Sequence, residues 1–110
     1  MTNTEINKRI AKLLNFSVYH ITKDGALFIM CDNMCDDNMY HQQFDPCNNW
    51  NQLMPLVVEH FDYYQIKKYT NVSVVMIKNG ERLIAFEAET PQIALCSCLI
   101  EVLEAEEIEK

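Results

Sequence analysis

Glycine is scarce in this sequence, since the 110 residues contain only Gly25 and Gly80. Each follows a residue that favours tight hairpin turns, Asp24 and Asn79, so both glycines are predicted to lie in turns. None remains for a phosphate-binding loop or a dinucleotide-binding turn, which need the backbone freedom of glycine. The three serines lie outside any G-x-S-x-G motif. We therefore predict that the chain is not an enzyme and needs no cofactor.

Long apolar runs are also missing. No stretch approaches the roughly 20 apolar residues of a membrane span, and the N-terminus lacks the apolar segment of a secretory signal peptide. The five cysteines are an odd number and cannot all pair within one chain. Cytosolic thiols stay reduced. These absences predict a cytoplasmic protein whose fold does not depend on disulfides or on a membrane.

The composition is that of a globular domain, with 49% hydrophobic residues and a net charge of −7. A chain of this length buries roughly two-thirds of the surface that it exposes when unfolded, which is enough for one core. We therefore treat residues 1–110 as a single domain.

Local signals predict the element order α-β-β-α-β-β-β-α. Thr2 and Glu5 have the spacing of a capping box, and Thr90 with Pro91 marks the start of the last helix. Aromatic and β-branched runs on either side of the two glycine turns predict hairpins. The predicted helices span residues 2–14, 50–61 and 91–107, and the predicted strands span residues 16–22, 26–31, 63–69, 72–78 and 82–89.

Hydrophobic patterning predicts how these elements pack. Strands 26–31 and 72–78 are apolar on both faces, which predicts an α+β fold, a single-domain α-β-α sandwich with a mainly antiparallel sheet covered by helices. Residues 93–103 are apolar nearly all round, so one sheet face cannot bury them. A second copy would cover the rest, which predicts a homodimer through this helix or through an exposed sheet edge. Alternatively, the first helix covers it.

Three segments resemble the conserved blocks of small phage proteins: EINKRIAKLL, FDPCNNWNQLMPLVVEH and AETPQIALCSCLIEVL. They are similar to the NinX-like proteins and to the phage ABA sandwich domain, two families of unknown biochemical function. The resemblance implies a phage or prophage origin, a location in the host cytoplasm and a helix–sheet–helix sandwich. It implies no catalytic residue, and the stretch CDNMCDDNMYHQQ lies outside it.

The cysteine-rich stretch after the second strand has two interpretations. Thiolates and an imidazole could form a zinc site or support a thiol-dependent activity, although the spacing matches no common zinc module. The candidate ligands are Cys31, Cys35, His41 and Cys47. The other interpretation is a polar loop that leads into the second helix, with Asn48 or Asn49 as its N-cap. In that case Phe44 and Trp50 are predicted to pack together as structural residues.

Charge is distributed unevenly. All nine Lys and Arg lie outside residues 24–66, whereas that interval holds seven acids. The simplest interpretation is a solvated face. The alternative is an inhibitor or modulator of a host nucleic-acid-handling or defence protein that uses acidic contacts. The predicted partner-binding residues are then Asp32, Asp36, Asp37 and Asp45. Direct binding to nucleic acid or to membranes is not expected.

Overall fold

The computed structural model describes residues 2–31 and 40–108. Three helices and six strands alternate along the chain. The helices are α1 (Asn3–Leu13), α2 (Trp50–His60) and α3 (Pro91–Ile108), and the strands are β1 (Val18–Ile21), β2 (Leu27–Cys31), β3 (Tyr40–Gln43), β4 (Tyr63–Lys68), β5 (Ser73–Asn79) and β6 (Arg82–Ala88).

Each helix begins at a residue that satisfies exposed backbone N–H groups. At α1 the predicted capping box forms, because the Thr2 hydroxyl accepts from the Glu5 N–H at 3.2 Å and the Glu5 carboxylate accepts from the Thr2 N–H at 3.3 Å. Asn49 caps α2 through its side-chain oxygen, and the Thr90 hydroxyl accepts from the Ile93 N–H at 3.2 Å. These caps explain why the helix boundaries could be predicted from the sequence.

The strands form two antiparallel sheets, sheet A with the order β1-β2-β3 and sheet B with the order β4-β5-β6. The α+β class, the antiparallel pairing and the order of the predicted elements are confirmed. The structure adds β3, which lies in the stretch predicted as a loop and pairs with β2 from Phe28↔Gln43 to Cys31↔Tyr40. It also divides between two sheets the strands that the sequence analysis placed in one.

Helix α3 lies at the centre of the core. It contacts α1, α2, β5 and β6, and its fully buried side chains point in several directions around its axis. They are Ala94, Leu95, Cys96, Cys98, Leu99 and Val102. Ile6 and Ile10 of α1 are buried in the same cluster. The covering of α3 by the first helix is therefore observed, and a dimer through the final helix is not needed to bury it.

The predicted burial of Trp50 is wrong. Its side chain is 37% exposed at the start of α2, whereas Phe44 is 5% exposed. The ring of Phe44 instead meets that of Phe16 edge to face, with the centroids 5.5 Å apart. In the ranges 2–31 and 40–108, no helix has both the length and the apolar character needed to cross a bilayer.

We expect Leu99→Ala to lower the free energy of unfolding by about 2–5 kcal/mol, because it leaves a cavity at a fully buried position. Urea denaturation followed by circular dichroism measures the change. Glu107→Ala, at an exposed position on the same helix, should change it by less than about 0.5 kcal/mol. A Leu99→Ala chain as stable as the parent would contradict the central position of α3 in the core.

Candidate functional site

Asp45, one of the predicted partner-binding residues, lies in the turn between β3 and α2. Its half-buried carboxylate accepts hydrogen bonds from the Asn7 amide at 2.8 Å and from the Asn48 amide at 3.1 and 3.2 Å. The Asn7 side-chain oxygen in turn accepts from the Cys47 N–H at 3.3 Å. The Asp45 carboxylate thus joins α1 to this turn, and a binding partner would have to share it with these amides.

Gln52 completes the connection between β3 and α2. Its side-chain oxygen accepts from the Asp45 N–H at 2.6 Å, and its amide donates to the Gln43 carbonyl at 2.6 Å. The Asp45 carbonyl accepts from the N–H groups of Asn48 and Asn49 at 3.1 and 2.9 Å. The segment FDPCNNW therefore has a local structural explanation, because most of its backbone N–H groups meet a partner within the fold.

The remaining predicted acidic contacts, Asp32, Asp36 and Asp37, lie outside the described residues. Three glutamates of α3 lie close to basic side chains of neighbouring elements. Glu104 binds Arg9 at 2.7 Å, Glu101 lies 3.9 Å from Arg82 and Glu106 lies 3.7 Å from His60. The glutamates near the end of α3 thus partly serve to attach this helix to its neighbours. Such exposed pairs contribute little stability each.

The four candidate metal ligands are only partly placed. Cys35 lies outside the described residues. Cys31 ends β2 and His41 lies in β3, where Cys31 pairs with Tyr40 and His41 pairs with Met30. Cys47 is buried beneath the start of α1, and its sulfur lies 3.9 Å from the Asn3 carbonyl oxygen. Within the described segments, no three His, Cys, Asp or Glu side chains come close enough to hold a metal ion.

The buried thiols of the core are held in the neutral form. A hydrogen bond with the Cys47 thiol and burial together raise the pKa of Cys96 far above its ordinary value. Burial, with a smaller effect of the Glu101 carboxylate, raises the pKa of Cys98 to about 12. Because the thiolate is the nucleophile and the metal ligand, these two cysteines are suited to packing rather than to chemistry.

Two clefts open on the surface near sheet A. The larger, of about 730 Å³, is lined by Asn15, Phe16, Ser17, Ile29, Met30, Gln42, Phe44, Asn51, Gln52 and Leu56. Among the described residues of this lining there is no carboxylate, imidazole, thiol or amine that could act as a general acid or base. The smaller, of about 280 Å³, lies over the turn and includes the carboxylates of Asp24 and Asp45. The described residues of the two linings include no nucleophile paired with a base.

Sheet B presents two very different faces. Ser73, Val75 and Ile77 of β5 are buried on the inner face, the side on which α3 packs. The opposite side, here called the outer face, is formed by the alternate residues of the ladder. These are Tyr63, Gln65, Lys67, Val74, Met76, Lys78, Leu83, Ala85 and Glu87. The sequence analysis predicted helices on both faces, but in the described part of the chain no helix covers this one.

The outer face is rich in exposed apolar side chains. Leu83 is 68% exposed and Tyr63 is 52% exposed, and they flank Lys78 in the same row of the ladder. Val74 and Met76, next to them on β5, are half-buried. Exposed apolar side chains grouped on one sheet face, here interrupted by Lys78, are a feature of protein-binding surfaces.

This surface is not evident from the sequence, because the outward positions of β5 are as apolar as core positions. In β6 the outward residues are Leu83, Ala85 and Glu87, of which only Glu87 is polar. The sequence of β6 therefore carries only a weak signal of an open face.

We expect Asn7→Ala to lower the free energy of unfolding by about 1–3 kcal/mol, because Asn7 is buried and its loss leaves the Cys47 N–H without that partner. Thermal and urea denaturation measure the effect. Lys8→Ala, at an exposed position on the same helix, is the control and should be nearly neutral. Equal stability of the two variants would show that the Asn7 contacts contribute nothing.

We also expect Cys96 and Cys98 to resist iodoacetamide at pH 8 in the folded protein, because their raised pKa values keep both thiols protonated and burial blocks access. Peptide mapping by mass spectrometry identifies the alkylated sites. The same reaction in guanidinium, where the thiols regain ordinary acidity, should label both. Labelling of Cys96 at equal rates in the two conditions would contradict its placement in the core.

Comparison with known proteins identifies the fold but not a family. No protein-family profile matches the chain, and no curated protein matches it. The chain is similar to the 2.0 Å crystal structure of a phage protein from Bacillus cereus ATCC 14579, with a TM-score of 0.60 and 21% sequence identity over 91% of this chain and 90% of that chain. At this identity the likeness establishes the fold alone, and neither the NinX-like family nor the ABA sandwich domain is confirmed. The chain thus shares its fold with a phage protein.

Proposed function

We propose that this chain is a phage- or prophage-encoded protein-binding module that acts by contact rather than by catalysis, with the outer face of sheet B as its binding surface. The observation that carries the proposal is the exposed apolar surface around Leu83 and Tyr63. Leaving such side chains in water is unfavourable by roughly 25 cal/mol per Å² of apolar surface, so covering them with a partner is favourable. The likeness in fold to a phage protein supports the origin.

The layout of the outer face resembles that of known protein interfaces, which have an apolar centre and a polar rim. Leu83, Val74 and Met76 provide the apolar area, and Met is well suited to surfaces that adapt to a partner. Charged side chains lie at both ends of the face: Lys78 lies between Tyr63 and Leu83 at one end, and Lys67 and Glu87 flank Val74 at the other. The Tyr63 ring adds a large contact area with a hydroxyl that can donate a hydrogen bond.

The proposed partner is a host protein that handles nucleic acid or takes part in defence, and the site of action is the host cytoplasm. The support is electrostatic. The net charge of −7, and the absence of Lys and Arg between residues 24 and 66, oppose binding to nucleic acid and favour approach to a basic protein surface. Asp32, Asp36 and Asp37 remain the proposed acidic contacts, whereas Asp45 is already engaged by Asn7 and Asn48.

A metal- or thiol-dependent function of the cluster Cys31, Cys35, His41 and Cys47 is the competing hypothesis. It gains no support from Cys47, whose buried thiol lies next to Cys96 in the core. Metal analysis of the purified protein distinguishes the two hypotheses. Stoichiometric zinc that survives dialysis would contradict the proposal and favour the metal-dependent hypothesis.

We expect Leu83→Glu to weaken binding to the host partner by at least about tenfold without loss of folding, because it replaces the most exposed apolar side chain of the outer face with a charge. The immobilised chain captures the partner from host lysate, mass spectrometry identifies it, and calorimetry with the purified partner measures the affinity.

Val58→Glu is the matched control. Val58 is 70% exposed, close to the value for Leu83, but it lies on α2 rather than on sheet B. The control should bind like the parent. If both variants bind the same partner with parental affinity, the outer face is not the binding surface.

A further inference from the structure

The free edge of sheet B is the second unusual feature of this sheet. β4 is an edge strand, since the sheet has the order β4-β5-β6. Its register with β5 runs unbroken from Tyr63↔Lys78 to Lys68↔Ser73, and its sequence YYQIKK contains no proline or glycine. Edge strands usually carry a bulge, a proline, charged side chains such as lysine, or a covering segment that prevents pairing with another chain. In the described residues β4 has lysines only at its last two positions, Lys67 and Lys68, and no bulge, proline or covering segment over Tyr63 to Ile66.

The hydrogen-bond pattern shows which backbone groups of β4 face outward. The Tyr69 N–H donates to the Val72 carbonyl at 2.8 Å, so Tyr69 and Val72 form a hydrogen-bonded pair that continues the β4–β5 register. Such pairs recur at every second residue of an antiparallel ladder. Tyr63, Gln65 and Lys67 therefore bond to β5, while the N–H and C=O groups of the alternate residues point to the open edge. Those alternate residues are Tyr64, Ile66 and Lys68.

The side chains on this edge are apolar where a partner strand would pack. Tyr64 is 40% exposed and Ile66 is 36% exposed, although both lie on the inner face of the sheet. They extend beyond the part of this face that α3 covers, because α3 contacts β5 and β6. An added strand would bury these two side chains as well as satisfy the open backbone groups.

We propose that β4 pairs antiparallel with β4 of a second copy of this chain, which joins the two copies of sheet B into one continuous sheet across a two-fold axis at Gln65. Directly opposed residues of two antiparallel strands lie on the same face of the sheet. A two-fold axis perpendicular to the sheet therefore pairs each residue with one an even number of positions away, and it passes between one residue and the same residue of the second copy. With Gln65 opposite its own copy, Tyr64 lies opposite Ile66, and each such pair exchanges both backbone hydrogen bonds.

The charges of β4 are compatible with this register. Two lysines on an edge would repel those of a second copy if they met directly. In the Gln65-centred register Lys67 lies opposite Tyr63, so no lysine of β4 meets a lysine of the second copy. Lys68 lies nearest Asp62, which precedes β4 and whose carboxylate also accepts from the Gly80 N–H at 2.7 Å. The edge can therefore pair with its own copy without opposing like charges, and this compatibility favours a second copy as the occupant. Two-fold pairing is also the commonest closed form of self-association.

Ile66→Pro tests the edge directly. The Ile66 N–H points away from β5, so proline removes an outward donor without removing a hydrogen bond inside the sheet. We expect the parent chain to sediment at micromolar concentration with twice its mass of 12.9 kDa. Ile66→Pro should sediment as a folded monomer, and Ile66→Thr, which keeps the N–H and the β-branched shape, should remain a dimer.

Cross-linking tests the register and does not depend on the folding of the proline variant. Residues opposite each other in a non-hydrogen-bonded pair have Cα atoms roughly 4.5 Å apart, within the range of a disulfide. Mild oxidation should therefore link Gln65→Cys to its copy, seen as a covalent dimer on a non-reducing gel. Lys67→Cys and the parent chain should show little of this product.

Three results would overturn the proposal. The first is a parent chain that sediments as a monomer. The second is a dimer that persists in folded Ile66→Pro, which would place the interface elsewhere. The third is a Lys67→Cys chain that cross-links as well as Gln65→Cys, which would exclude the Gln65-centred register.

Discussion

The burial of α3 is the constraint on which the rest of this fold depends. The helix has 18 residues, and apolar side chains surround most of its axis. One sheet face covers only one side of such a helix, so α1 and α2 must pack on the others. This requirement brings all three helices together on one side of sheet B. It also accounts for the uncovered outer face, because no described helix remains to pack there.

The connection between β3 and α2 is a polar segment that resembles a functional site in the sequence but forms structural hydrogen bonds to α1. Asn7 is buried and contacts both Asp45 and the backbone of Cys47. A buried amide is stable only when its donors and acceptors are satisfied, and this turn satisfies them. The same contacts place the Cys47 thiol against Cys96. Residues that suggest chemistry in the sequence therefore act here as the attachment of α1 to α2.

Sheet B combines two surfaces that use different chemical groups. The outer face offers side chains, chiefly those of Leu83 and Tyr63, whereas the edge of β4 offers backbone donors and acceptors with Tyr64 and Ile66 beside them. Because side chains alternate between the faces of a strand, a substitution on one surface leaves the other in place. In the proposed dimer the two outer faces become neighbours in one sheet, so a host partner would meet a surface about twice as wide.

Local chemistry was sufficient to determine the three helices and five of the six described strands of this protein. The capping box of Thr2 and Glu5, the turn at Gly80 with its positive φ of 62° and the Thr90 cap depend on residues a few positions apart, so the sequence alone predicted them. Tertiary structure decided what depends on distant contacts. The glutamine-containing β3 forms because β2 offers it a partner edge. The Phe44 ring meets Phe16, which lies far from it in sequence, whereas the nearby Trp50 is partly exposed. Tertiary contacts also decided which face of sheet B stays open. The apolar pattern of β5 is compatible with a helix on either face, and the packing of α3 on the inner face leaves the outer face uncovered.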